Sequence, residues 1–181
     1  GEEQNFGDID GRIRAGAIIQ NLGPKIKYDE SGRETFLPTN LRIGGGFDFL
    51  LDQYNTVSVT AEVNKLLVPT PPILGREYNF SDINENGVYD DGIDELGELV
   101  STDPVIYQGQ SADVDFMSGI FQSFSDAPGG FSEELKEFTW ALGAEYKYDD
   151  SFALRAGYFN ESEEKGARKF LALGAGFKFS G

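Results

Sequence analysis

Hydrophobic and polar residues alternate along much of the chain with a period of two, the pattern of a β-strand that turns one face to an apolar medium and the other to a polar one. Residues 56–65 place Val57, Val59, Ala61 and Val63 on one face and Ser58, Thr60, Glu62 and Asn64 on the other. Residues 138–148 set Phe138, Trp140, Leu142, Ala144, Tyr146 and Tyr148 against Thr139, Ala141, Gly143, Glu145 and Lys147. Near the end, Leu171, Leu173, Ala175, Phe177 and Phe179 alternate with Phe170, Ala172, Gly174, Gly176 and Lys178. Three further segments follow the rule less strictly. Ile13, Ala15, Ala17 and Ile19 oppose Arg12, Arg14, Gly16 and Gln20; Leu41, Ile43, Phe47 and Phe49 oppose Arg42, Gly44, Gly46 and Asp48; Phe152, Leu154, Ala156 and Tyr158 oppose Ala153, Arg155 and Gly157.

The pattern therefore predicts six strands, each about ten residues long. That is the length of a tilted membrane-crossing strand, against about five or six residues for a soluble one. Tyr28, Phe49, Tyr146, Tyr148, Phe152, Tyr158 and Phe179 gather near strand ends, as interfacial aromatics do. The connections alternate in length. Asp29 to Pro38, Val68 to Lys136 and Asn160 to Arg168 are long, whereas Asp52 to Asn55 and Asp149 to Ser151 are tight turns. Outer-membrane barrels join strands by short periplasmic turns and long extracellular loops, and a soluble sandwich has no reason to alternate in this way. The expected fold is all-β: an antiparallel transmembrane β-barrel in the bacterial outer membrane, its long loops facing the cell surface. Apolar side chains then face lipid. Arg12, Arg14, Arg42, Asp48, Glu62, Asn64, Glu145, Lys147, Arg155 and Lys178 face the lumen. About six strands are too few for closure, which takes about eight. No signal peptide is visible, so the chain is expected to be a fragment of a larger barrel, with residues 1–181 forming a single barrel domain.

Composition fits this reading and removes others. Aromatics make up 13% of the 181 residues and there are 23 glycines. Apolar runs last only a few residues, which excludes a transmembrane helix. The net charge of −16 argues against nucleic acid, which needs basic patches. With no Cys and no His, thiolate and imidazole chemistry is absent. Gly44-Gly45-Gly46 lies inside a strand pattern and opens no helix, so it is not a phosphate loop. The expectation is a binding or carrier protein, not an enzyme, with no required cofactor.

The connection at 69–136 is too long for an ordinary loop. It opens on Pro69-Thr70-Pro71-Pro72, a stiff extended spacer. Asp82, Asn84 and Asn86 then alternate before Gly87, like the first half of an EF-hand-type calcium loop. The Val88 carbonyl and Asp90 continue the ligand series; the closing position is Ile93, and the nearest carboxylate, Asp94, comes one residue late. A possible Ca2+ ligand set is thus Asp82, Asn84, Asn86, Val88, Asp90 and Asp94. Residues 111–124 read as a helix capped by Ser111 or Asp113, with Val114, Met117, Phe121 and Phe124 at helical spacing. A second short helix is expected from Ser132. Phe121, Phe124 and Phe131 form a candidate surface for cargo or another partner.

Several stretches carry a resemblance to a known family. Asn40 to Gly45, Asn64 to Pro72, Gly119 to Leu135, Arg155 to Phe159 and Lys165 to Phe170 resemble the PorV (LptO) family of the type IX secretion system, related to FadL-type barrels. The Gly119–Leu135 block is the most specific of these. The resemblance implies a protein that binds the C-terminal signal domains of secreted cargo. It also implies passage of cargo from a translocon barrel to a surface attachment and peptidase protein, with the barrel itself embedded in outer-membrane lipid. The alternative kept beside it is a FadL-like channel for uptake of hydrophobic small molecules.

Overall fold

The computed structural model describes residues 3–5, 10–30 and 32–178. In chain order the elements are β1 (Glu3–Asn5), β2 (Asp10–Gln20), β3 (Asn40–Leu50) and β4 (Asn55–Leu66). The long connection follows, with β5 (Ile73–Gly75), β6 (Tyr78–Ser81), β7 (Glu95–Leu99), β8 (Val105–Gln108), α1 (Phe116–Gln122) and α2 (Phe131–Lys136). The chain then returns as β9 (Phe138–Tyr148), β10 (Phe152–Asn160) and β11 (Lys169–Phe177).

One antiparallel sheet runs in the order β1-β2-β3-β4-β9-β10-β11. Its six long strands have 9 to 12 residues each, the six predicted from alternation, and β1 adds a short seventh. Neighbours in the sheet are neighbours in sequence except across β4–β9, where the insert intervenes. Among the described residues β1 and β11 do not pair with each other, so the sheet is open, as a partial barrel requires.

The register fixes the faces. Arg14 lies opposite Gly46, Gly46 opposite Thr60, Thr60 opposite Gly143, Gly143 opposite Gly157 and Gly157 opposite Ala172. Every strand charge assigned to the lumen shares this face; Lys178 lies one residue past β11. The charges pair between adjacent strands. Arg14 meets Asp48 at 2.6 Å, Arg42 Nε donates to Asn64 at 2.9 Å and lies 3.3 Å from Glu62, and Arg155 pairs with Glu145. Ile13, Ile43, Val59, Leu142, Leu154 and Leu173 lie on the opposite face, all exposed, Leu173 to 77%. Among the described residues only Leu67, Pro69, Ala127 and Ala153 have buried apolar side chains. A chain with long regular strands and so small an apolar interior holds its hydrophobic surface outward, which is stable in lipid and not in water.

Aromatics on the outward face collect at the two ends. Tyr54 lies 6.3 Å from Tyr148, and Phe152 lies 5.1 Å from Phe177, at the short-turn end. Trp140 and Tyr158 meet at 5.6 Å at the other end, the rim. Tyr28 sits in the β2–β3 connection and not on a strand, and Phe179 lies outside the described residues.

The insert is more structured than the sequence pattern indicates. β5 pairs with β8 and β6 with β7, so two short ribbons form an arm, with residues 82–94 as its tip. Helix α1 is shorter than expected and starts later. Asp115, not Ser111 or Asp113, is the cap: its carboxylate accepts the Met117 and Ser118 N–H groups at 3.0 and 3.1 Å. Ser111 instead accepts the Asp113 N–H in a turn before the helix. Helix α2 begins at Phe131, after Gly130 in a positive-φ conformation.

Candidate partner-binding site

Where the insert leaves and rejoins the sheet, charged groups are buried together. Lys65 stands near the end of β4 on the face that carries Val57, Val59, Ala61 and Val63, yet it is 2% exposed. Its ammonium donates to Glu134 of α2 at 3.1 Å and to Glu137 at 2.7 Å. The Phe138 ring lies 5.0 Å and the Phe124 ring 5.8 Å from it. A cation removed from water is tolerated here because two carboxylates and two ring faces surround it.

The network widens from there. Glu137 also accepts the Thr70 hydroxyl at 2.7 Å and Lys165 at 3.2 Å; Lys165 donates to Glu133 at 3.0 Å. Burial works against the Glu137 charge, but the bonds from Lys65 and Thr70 prevail and hold its pKa below the usual carboxylate value. The Gly129 N–H, then Lys165, likewise lower that of Glu133. Burial opposes the Lys165 charge, but Glu133 and Glu137 outweigh it and raise its pKa. Lys136 reaches Glu164 at 2.7 Å, and Arg168 grips Glu161 through two bonds of 2.7 Å. Polar bonds thus hold α2 and its end to the 161–168 connection, and the Arg168–Glu161 pair braces that connection internally.

Between the helices the chain turns through Ser123, Asp126 and Ala127, all buried. One Asp126 oxygen accepts the Thr70 N–H at 3.0 Å and, weakly, Gln122 at 3.4 Å. The other oxygen is buried with no partner. Burial raises the Asp126 pKa, and the nearby charges of Glu134 and Glu137 add to the rise. Helix α1 lies close on this joint because residue 119 is glycine. A Cβ there would meet the Phe36 ring at 2.5 Å and Pro69 Cγ at 3.0 Å.

Below the joint, on the luminal side of the rim, a cleft of about 670 Å³ opens between the spacer and the sheet. Leu66, Val68, Pro69 and Phe159 give it apolar walls, and Arg42, Glu137 and Arg168 give it charge.

The three phenylalanines expected to bind a partner lie above the joint. Phe121 on α1 is 70% exposed and Phe131 on α2 is 78% exposed; Phe124 is turned toward Lys65. Among the described residues their rings make no stacked or edge contact with one another, so they are separate apolar points, with Met117 and Leu135 exposed nearby. The insert 69–136 is also the acidic part of the chain, with 14 of its 31 acidic and 2 of its 15 basic residues.

The calcium-like residues form one turn at the arm's tip. Asp82 accepts the Asn86 and Gly87 N–H groups at 3.1 and 2.7 Å, and Gly87 takes φ +80°, the bend its place in the motif demands. Asn84 and Asn86 donate to Asp90 at 2.7 Å each, and Asn86 accepts the Val88 N–H. Asp94 accepts the N–H groups of Ile83 and Asp90, closing the turn from its far end. Among the described residues, no three Asp or Glu side chains converge as a metal-holding group.

Sequence reasoning missed the joint itself: Lys65, Asp126, Glu134 and Glu137. One signal was present. Lys65 breaks the outward apolar register of β4, and a charge on a lipid-side position calls for a buried partner or the membrane surface.

The family model described as type IX secretion system protein PorV matches residues 1–73. The matched span contains two of the stretches that carry the resemblance, Asn40 to Gly45 and Asn64 to Pro72, and it points to a component of the type IX secretion system; the stretches from Gly119 onward lie outside it. No curated protein matches the chain.

Proposed function

We propose that this chain belongs to an outer-membrane component of the type IX secretion system that captures secreted cargo by its C-terminal signal domain. The protein then passes cargo from the translocon barrel to the surface attachment and peptidase complex. The family match over residues 1–73 carries the reading. The outward apolar sheet supports placement in the outer membrane, with the rim and insert at the cell surface. The chain holds, positions and releases a partner and does no bond chemistry. Phe121 and Phe131 are the anchors, and Phe124 seals the joint beneath them. Apolar rings on a fixed polar frame suit a protein partner, since aromatic anchors concentrate binding energy.

The test is a chromosomal Phe121→Ser, Phe131→Ser double substitution. Cargo recovered with the protein should fall about tenfold or more, as expected for loss of aromatic anchors. The amount of protein in the outer-membrane fraction should stay constant. Normal cargo recovery at a normal protein level refutes the assignment of the anchors. The FadL-like alternative, an uptake channel, predicts instead a bound apolar small molecule. The charged luminal face of β2–β4 and β9–β10 gives that reading less support.

The arm's tip, 82–94, is assigned within the same proposal to Ca2+. The support is the alternating oxygen donors and the Gly87 bend. Its role is to stiffen the arm, not to take part in cargo chemistry.

A further inference from the structure

The joint beneath α1 and α2 contains a carboxylate that the cargo-capture reading does not use. Asp126 is 1% exposed, and one of its two oxygens has no hydrogen-bond partner. Ionised carboxylates accept several bonds, so an unpartnered buried oxygen is a costly place for negative charge and a tolerable one for a neutral acid. The surroundings sharpen this. From α2 and its end come Glu133, Glu134 and Glu137; from β4 comes Lys65; from the 161–168 connection comes Lys165. From the spacer and α1 come only neutral groups, Thr70 and Gln122. The two lysines are already committed to the three glutamates, so a fourth negative charge on Asp126 finds no cation to balance it. Little apolar burial offsets this: Leu67, Pro69 and Ala127 are the buried apolar side chains of the joint among the described residues. Polar bonds therefore decide how firmly the α1–α2 segment sits.

We propose that the α1–α2 segment is a flap on the barrel rim and that a single proton on Asp126 sets how tightly it is docked. With Asp126 neutral, the Thr70 N–H bond closes the joint without an unbalanced charge. With Asp126 ionised, the flap loosens, and the Phe121 and Phe131 anchors it carries lose their fixed spacing. The sign follows from linkage. The docked state raises the Asp126 pKa, so it binds more proton than the undocked state. Docking is strongest below the ordinary Asp value and weakens as pH rises through the elevated one. Glu133 and Glu137 act oppositely, but their pKa values are lowered and they finish titrating at more acidic pH. That of Lys165 is raised, so it titrates at more alkaline pH. The Asp126→Asn variant separates the Asp126 proton from those of the other carboxylates in the joint.

The test is hydrogen–deuterium exchange of the intact protein in its membrane, corrected for intrinsic exchange, from about pH 4.5 to pH 8. Peptides covering 120–137 should lose protection as pH rises, by at most about tenfold per pH unit, the limit for one linked proton. Strand β9 should not change. In Asp126→Asn the same peptides should be protected at every pH, with no slope. A wild-type profile that is flat, or that gains protection with rising pH, overturns the proposal without need of the variant. A slope that persists in Asp126→Asn overturns the choice of residue. The proposal concerns docking alone, so it stands or falls apart from cargo recovery in the Phe121/Phe131 variant.

Discussion

Lys65 is the residue on which the joint is built. Its cation balances Glu134 and Glu137 in a space that admits almost no water. Taking away one member of such a group leaves the others as uncompensated buried charge, at a cost of about 3 to 5 kcal/mol. Lys65→Met keeps the volume of the stem and removes only the charge. We expect the 120–137 segment of this variant to become sensitive to mild proteolysis while the sheet stays folded; an insert as resistant as wild type would mean the ion group is ornamental. Gly119 acts by shape in the same joint. Gly119→Val would drive methyl groups into Phe36 and Pro69, both part of the packing that seats α1. Overpacking of this kind costs about 1 to 3 kcal/mol. The expected result is the same proteolytic sensitivity as in Lys65→Met, with Gly119→Ala milder because only one carbon must be accommodated.

Single elements differ in how much of them depends on distant parts of the chain. The arm's tip is local: Asp82, Asn84, Asn86, Asp90 and Asp94 bond within thirteen residues of one another. Calcium at about millimolar concentration, the range of extracellular modules, should therefore release measurable heat on titration, and Asp82→Ala should abolish it. No heat from the wild-type protein removes the calcium assignment. The same contrast explains what the sequence made legible. Strands β2, β3, β4, β9, β10 and β11 were readable because alternation is a property of neighbouring residues, and so was the oxygen series of the tip. The ribbons β5–β8 and β6–β7 were not. Ile73 pairs with Gln108 and Ser81 with Glu95, pairings too short and too distant in sequence to leave a period. The start of α1 was misread because Ser111, Asp113 and Asp115 are all acceptable caps and local sequence does not rank them; in the structure it is Asp115 that accepts the Met117 and Ser118 N–H groups. Asp126 gave no local sign at all, since its partners come from the spacer and α1 and its charged neighbours from α2.

At the scale of the whole molecule the decisive property is which face of the sheet meets the apolar medium. β11 presents a free edge along 169–177 among the described residues, and unpaired backbone groups in hydrocarbon cost several kcal/mol each. The sheet is therefore at rest in lipid only when its edges are closed by further strands. Closure would put Leu142 and Ala141, adjacent in β9, in opposite environments. Leu142 shares its face with Val59, Leu154 and Leu173, and Ala141 lies opposite Glu62 on the charged face. An arginine at each position makes a paired experiment on one strand, with the same residue type and almost the same depth. Leu142→Arg sets a guanidinium against acyl chains near the middle of the strand, for about 2 to 4 kcal/mol of lost stability in the bilayer. Ala141→Arg sets it beside the Glu62 carboxylate and should cost far less. Urea unfolding of the closed barrel in lipid vesicles reads both, with the fluorescence of Trp140, close to both positions, as a reporter. If the two variants lose equal stability, or Ala141→Arg loses more, the faces have been assigned the wrong way round. The lumen, the rim cleft and the surface exposure of the flap would then have to be reassigned with them.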